Sequence, residues 1–138
     1  MKIAGLTVTL FLLALAFAPA RLDAGNYSAT LISPKAGAVL IPGQRIKVEW
    51  KSSLPNPIDL SWCEMEVWLS LDGGRTYTMC ITPLLDPRVT FFYWTVPATP
   101  TKTAVLDIRF GCEGVYPESY SPQTASPFEI TKPTAQLF

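Results

Sequence analysis

The placement of proline constrains this chain more than any other feature of its sequence. Thirteen prolines punctuate the 138 residues, and a proline cannot donate to a β-ladder, so it is confined to edges, bulges and connections. Four long stretches of the later chain hold none: Gly43 to Leu54, Ile58 to Thr82, Arg88 to Val96 and Thr101 to Tyr116. Each alternates with a two-residue period, the pattern of strands with one face buried. In the first, Ile46, Val48 and Trp50 share one face, opposite Arg45, Lys47, Glu49 and Lys51. In the second, Met65, Val67, Leu69 and Leu71 are the apolar set, and Trp62, Glu64, Glu66, Trp68 and Ser70 lie opposite. The third places Phe92, Trp94 and Val96 inward, with Phe91, Tyr93 and Thr95 outward. The fourth places Leu106, Ile108, Phe110 and Cys112 inward, with Asp107 and Arg109 outward. The second stretch turns at Asp72-Gly73-Gly74-Arg75 and returns as a strand through Tyr77 to Ile81, and short strands at Leu31 to Ser33 and Phe128 to Thr131 complete a set of about seven. The expected fold is all-β, an antiparallel two-sheet sandwich of the immunoglobulin or fibronectin-III kind, with Trp50 and Trp94 in its core.

Residues before the sandwich read as an export signal. Lys2 supplies a positive start, Ile3 to Phe17 carries no charge, and Ala18-Pro19-Ala20 is a small-residue cleavage site. About fifteen apolar residues fall short of the roughly 20 that a spanning helix needs. The expected division is a signal peptide over 1–20, an amino-terminal extension over 21–30, a β-sandwich domain over 31–131 and a tail over 132–138. Cleavage leaves ten cations against eleven acids. The expectation is a secreted, periplasmic or extracellular chain with no stable membrane insertion. Asn26-Tyr27-Ser28 fits an N-glycosylation sequon.

Export also governs the reading of the three cysteines, because an oxidising compartment favours disulfides. Cys63 opens the second strand and Cys112 closes the fourth, each on the apolar face. If these strands are antiparallel neighbours, the two sulfurs meet, and the 49-residue separation gives roughly 4 kcal/mol on the chain-entropy account. Cys63 with Cys80 is the rival pairing. In the preferred one Cys80 is left as a buried thiol.

Charge and composition exclude several classes. The full chain balances eleven cations with eleven acids, without a run of either sign, so nothing attracts nucleic acid or anionic lipid. The absence of histidine removes imidazole catalysis and histidine-bearing zinc sites, and three cysteines cannot build a four-thiolate one. No metal or cofactor is expected. Glu64 and Glu66 are about 7 Å apart along one strand face and imitate a glycosidase pair. A flat, solvated face, however, offers no cleft and no reason for either pKa to rise. The expectation is a non-catalytic protein.

Ser70-Leu71-Asp72-Gly73-Gly74-Arg75-Thr76-Tyr77 fits S-x-D-x-G-x-T-aromatic and resembles the Asp-box hairpin of sialidase-type propellers. Its content is a turn: Asp72 accepts from loop N–H groups, Gly73 and Gly74 allow the tight path, and Tyr77 packs beneath. One copy cannot make a propeller. A broader likeness runs through Ile32-Ser33-Pro34, Gly37, Gly43-Gln44, Ile46-Lys47-Val48-Glu49-Trp50, the hairpin and Trp94-Thr95-Val96-Pro97. It is similar to the amino-terminal secreted domain of fungal cell-wall glucan-synthesis and Ser/Thr-rich glycolipid-anchored proteins, and to related bacterial extracellular modules. The resemblance implies a fibronectin-III or immunoglobulin-like sandwich at the cell envelope and brings no catalytic residues.

Four aromatic residues are the candidate ligand-binding set. Trp62 and Trp68 lie on the polar face of the second strand, and Tyr116 and Tyr120 lie with Glu113 and Glu118 on the long connection from Gly111 to Ser126. Their expected partner is an envelope polysaccharide or an extracellular protein. The competing readings are edge cover for the tryptophans, a proline-braced crossing for the connection, a purely structural or oligomerising module, and a glycoside hydrolase suggested by the Asp-box association alone.

Overall fold

The computed structural model describes residues 26–56 and 58–135. The proposed signal peptide with its cleavage site, and the last three residues of the tail, lie outside the described residues. The strands are β1 (Ser28–Ser33), β2 (Val39–Leu40), β3 (Arg45–Ser53), β4 (Cys63–Ser70), β5 (Met79–Cys80), β6 (Phe91–Thr95), β7 (Thr101–Cys112), β8 (Tyr116–Ser119) and β9 (Phe128–Ile130). A single 3-10 turn over Leu60–Trp62 precedes β4. β1, β3 and β6 form one sheet, and the second runs β2-β9-β7-β4-β5 with β8 attached to β7.

This is the all-β sandwich that the alternation predicts. The described strands number nine instead of about seven, because β2 has only two residues and β8 carries Pro117, too little for a periodic signal, while the return strand expected over Tyr77 to Ile81 is present but shortened to β5. β2 lies parallel to β9, an exception in an otherwise antiparallel arrangement. The sandwich also starts earlier than Leu31. Tyr27 is buried, and β1 takes in residues 28–30 that the sequence reading gave to an extension.

The inward faces meet as expected. Val48, Trp50, Trp94 and Val96 from one side pack with Met65, Val67, Leu69, Leu106, Ile108, Phe110, Phe128 and Ile130 from the other. Strand β7 is the spine. β4 lies along one flank from Val105 to Cys112. The other flank is shared by β9, at Thr101 to Ala104, and β8, at Phe110 to Cys112. Between them Pro122 bridges to Asp107.

That bridging segment stitches the two sheets together. β1 is an edge strand, and its outward amides would be unpaired there. Ser121 Oγ accepts from Ala29 N–H at 3.1 Å, and Gln123 Oε1 accepts from Leu31 N–H at 2.8 Å. The Ser121 hydroxyl and the Gln123 amide in turn donate to Ala29 carbonyl, each at 3.0 Å. In this part the long connection is the proline-braced crossing that the sequence allowed.

Cys63 and Cys112 face each other in register and are joined by a disulfide. Cys80 is free but exposed, its thiol donating to Thr82 carbonyl at 3.2 Å, so the buried-thiol reading is corrected. The reason is its position on the two-residue edge strand β5, with no further strand to cover it. No helix among the described residues is long and apolar enough to cross a membrane.

Candidate functional site

The Asp-box stretch folds into the hairpin that its residues dictate. Asp72 Oδ1 accepts from the N–H groups of Arg75 and Thr76 at 3.1 and 2.9 Å, and its Oδ2 accepts from the Thr76 hydroxyl at 2.6 Å. Gly73 and Gly74 take φ of 76° and 91°, which side chains larger than hydrogen resist. A Cβ on Gly74 would also lie 3.1 Å from the Tyr77 hydroxyl, which packs under the turn as expected. Ser70 is the surprise. Alternation places it on the polar face, yet it is fully buried, accepting from Gly74 N–H at 2.9 Å and donating to Asp72 at 2.7 Å. The hydrogen bonds from Thr76, then those from Ser70 and Arg75, hold the Asp72 carboxyl far below the usual carboxylate range. The geometry is that of a structural turn.

A cleft lies at the other end of β4. It is open, encloses about 510 Å³, and its walls include Trp62, Glu64 and Glu66 on one side and Glu113, Tyr116 and Glu118 on the other, with Gly111 in its floor. The flat face expected around Glu64 and Glu66 is therefore corrected: it borders an open cleft, because side chains of the β7–β8 turn and of β8 stand across β7 from it. Gly111 eases the approach of β8. A Cβ there would lie 3.2 Å from Glu118 Cα, so any larger residue would push β8 away by a few tenths of an ångström.

Trp62 owes its position to the short turn before β4. Asp59 caps that turn by accepting from Ser61 N–H at 3.0 Å, and Trp62 carbonyl accepts from Glu113 N–H at 3.1 Å, which ties the two lips together. The disulfide is next in sequence to both residues. Thus the backbone under Trp62 is fixed while its side chain stays 67% exposed.

The other three aromatic candidates are engaged with the protein. Trp68 is half-buried, donates its indole N–H to Glu66 at 3.0 Å, and lies with its ring centroid 4.6 Å from the Arg109 guanidinium. Tyr120 meets the same guanidinium at 4.8 Å while remaining exposed. Tyr116 packs on the core ring of Phe110 at 5.6 Å, and its hydroxyl accepts from Tyr27 N–H at 3.3 Å. So Trp62 and Tyr116 line the cleft, whereas Trp68 and Tyr120 grip Arg109 beside it. They do not form one stacking surface.

Arg109 is the residue that sequence reasoning undervalued. Its Nε donates to Asp107 at 2.8 Å, and Asp107, itself buried, accepts from Ser121 N–H at 2.9 Å. Nη1 lies 3.9 Å from Glu118. A single outward cation, met by a tryptophan from the neighbouring strand and tyrosines from two connections, is a weak signal, readable only once the β4 to β7 register opposes Glu66 to Arg109. Four glutamates and one arginine thus line the cleft, and the arginine is already paired with a buried aspartate.

No protein-family model matches the chain, and no curated protein matches its sequence.

Proposed function

We propose that this chain is a secreted, non-catalytic binding module of the cell envelope, of immunoglobulin or fibronectin-III type, that holds a polysaccharide in the cleft beside Trp62. The observation that carries the reading is the exposed Trp62 ring, on a backbone anchored by a disulfide, at the lip of a carboxylate-lined cleft. An indole face stacks on the C–H face of a sugar, and carboxylates accept from its hydroxyls. The disulfide favours an oxidising compartment. Strand order supports the type: with the short additions β2 and β8 set aside from the six-stranded sheet, β1-β3-β6 against β5-β4-β7-β9 follows the arrangement of three- and four-stranded sheets in such sandwiches. The family resemblance noted in the sequence points to the same place of action.

The test is a pull-down of the purified protein on insoluble envelope polysaccharides, beside Trp62→Ala. The expected result is retention of the native protein and a loss of about tenfold or more in the variant, whose exposed side chain contributes little to folding. No retention of either protein overturns the polysaccharide assignment and turns the cleft toward a protein ligand. Turnover of a chromogenic glycoside that falls in Glu64→Gln overturns the non-catalytic reading.

A further inference from the structure

Every edge of the two sheets but one is blunted among the described residues. Side chains of Ser121 and Gln123 cap β1. β2 and β5 are two residues long, and β8 carries Pro117. The exception is β6, five residues without proline, charge or bulge, which ends the three-stranded sheet. Its outward groups follow from its pairing. Trp50 N–H donates to Thr90 carbonyl and Val96 N–H to Gln44 carbonyl, each at 2.9 Å. By alternation Phe92 and Trp94 also turn their amides to β3, so Phe91, Tyr93 and Thr95 turn theirs to the open edge. No turn, loop or side-chain hydrogen bond of the described residues reaches those groups.

The rings of the same residues are exposed, Phe91 to 43% and Tyr93 to 50%. Two cations lean onto them from β3. Arg45 guanidinium lies 4.9 Å from the Tyr93 centroid, and Lys47 Nζ lies 4.8 Å from that of Phe91 and 3.2 Å from Glu49. With Lys51 exposed on the same strand, this face carries three cations against the one acid. A strand added at β6 would run about 4.8 Å away, with every second side chain beside these rings and charges.

We propose that β6 is a docking edge for an extended acidic peptide strand of another protein. Main-chain bonds to Phe91, Tyr93 and Thr95 hold it, and carboxylates at alternate positions meet Arg45 and Lys47. A second copy of this chain fits less well. Its own β6 offers Phe-Phe-Tyr-Trp-Thr, with no acid to set against those cations.

The test uses the full protein with two short blocked peptides, one alternating valine and glutamate, the other valine and lysine, followed by NMR amide exchange. Without peptide, the amides of Phe91, Tyr93 and Thr95 exchange faster than those of Phe92 and Trp94. The glutamate peptide is expected to slow those three, and to bind about tenfold tighter than the lysine peptide. Arg45→Glu with Lys47→Glu reverses the preference. Tyr93→Pro removes an outward N–H and no bond to β3, and weakens both peptides. Equal affinity for the two peptides, or no protection of the three amides at millimolar peptide, overturns the proposal. So does a concentration-dependent dimer that protects the same amides without peptide, which assigns the edge to a second copy.

Discussion

Ser70 and Asp72 show how much of a turn is decided by two small polar side chains. One hydroxyl satisfies loop amides from inside the sheet, and one carboxylate does so from outside, so the hairpin needs no apolar contact at its tip. The motif was readable, since serine, aspartate, glycine and threonine at those spacings suit few other structures. The burial of Ser70 was not, because alternation records which face a residue takes and not whether a later turn folds over it. The Asp72 carboxyl titrates far below its unfolded value, mainly because Thr76 donates to it. A lowered folded pKa contributes stability that is fully present above about pH 4 and is lost as pH falls through the folded value. Asp72→Asn is therefore expected to lower the urea midpoint at pH 7. It should also shrink the further drop between pH 4 and pH 2 relative to the native protein. Parallel urea curves at the three pH values measure both, and an unchanged acid limb refutes the account.

At the scale of elements, the long proline-free stretches became β3, β4, β6 and β7, because runs of alternating residues state their own period. β2 and β8 stayed hidden, being defined by what lies beside them, and β5 showed only as the return of the hairpin. The Ser121 to Gln123 crossing was visible only as prolines flanking polar residues, with nothing to say that the glutamine would mimic a strand against β1. Gln123 accepts from Leu31 N–H and donates to Ala29 carbonyl. Gln123→Ala leaves both without that partner in a poorly hydrated seam. The expected cost is about 1–3 kcal/mol, with faster exchange at the Leu31 amide. Exchange that rises equally throughout β1 and β3 would indicate global loosening instead. The same logic explains the partial legibility of the candidate site. Alternation puts Trp62 on the polar face, but Glu64, Glu66 and Glu118 come to line one cleft because β8 pairs with β7 close beside Gly111.

For the whole molecule, two apolar faces and one pair of facing cysteines were enough to anticipate the sandwich and its cross-link. Denatured, unreduced protein is expected to release one thiol, that of Cys80, and reduced protein three. Cys63→Ala with Cys112→Ala should cost up to about 4 kcal/mol, read as a lower denaturant midpoint. More than one thiol before reduction would refute the pairing. The spine strand β7 carries one more consequence. The cleft sits at its Cys112 end, while β9 pairs with its Thr101 end and sends the chain on to Lys132 from there. Those ends are about 35 Å apart at strand rise. A pull applied between the cleft end and the chain at Lys132 runs lengthwise along β7. It loads the rungs to β4 together in shear, with the disulfide preventing the cleft end from peeling. β9 is gripped on both flanks, by β7 and β2, at the point where the load leaves. Along β7 the ladder is laid out to resist a lengthwise pull between the Cys112 and Thr101 ends.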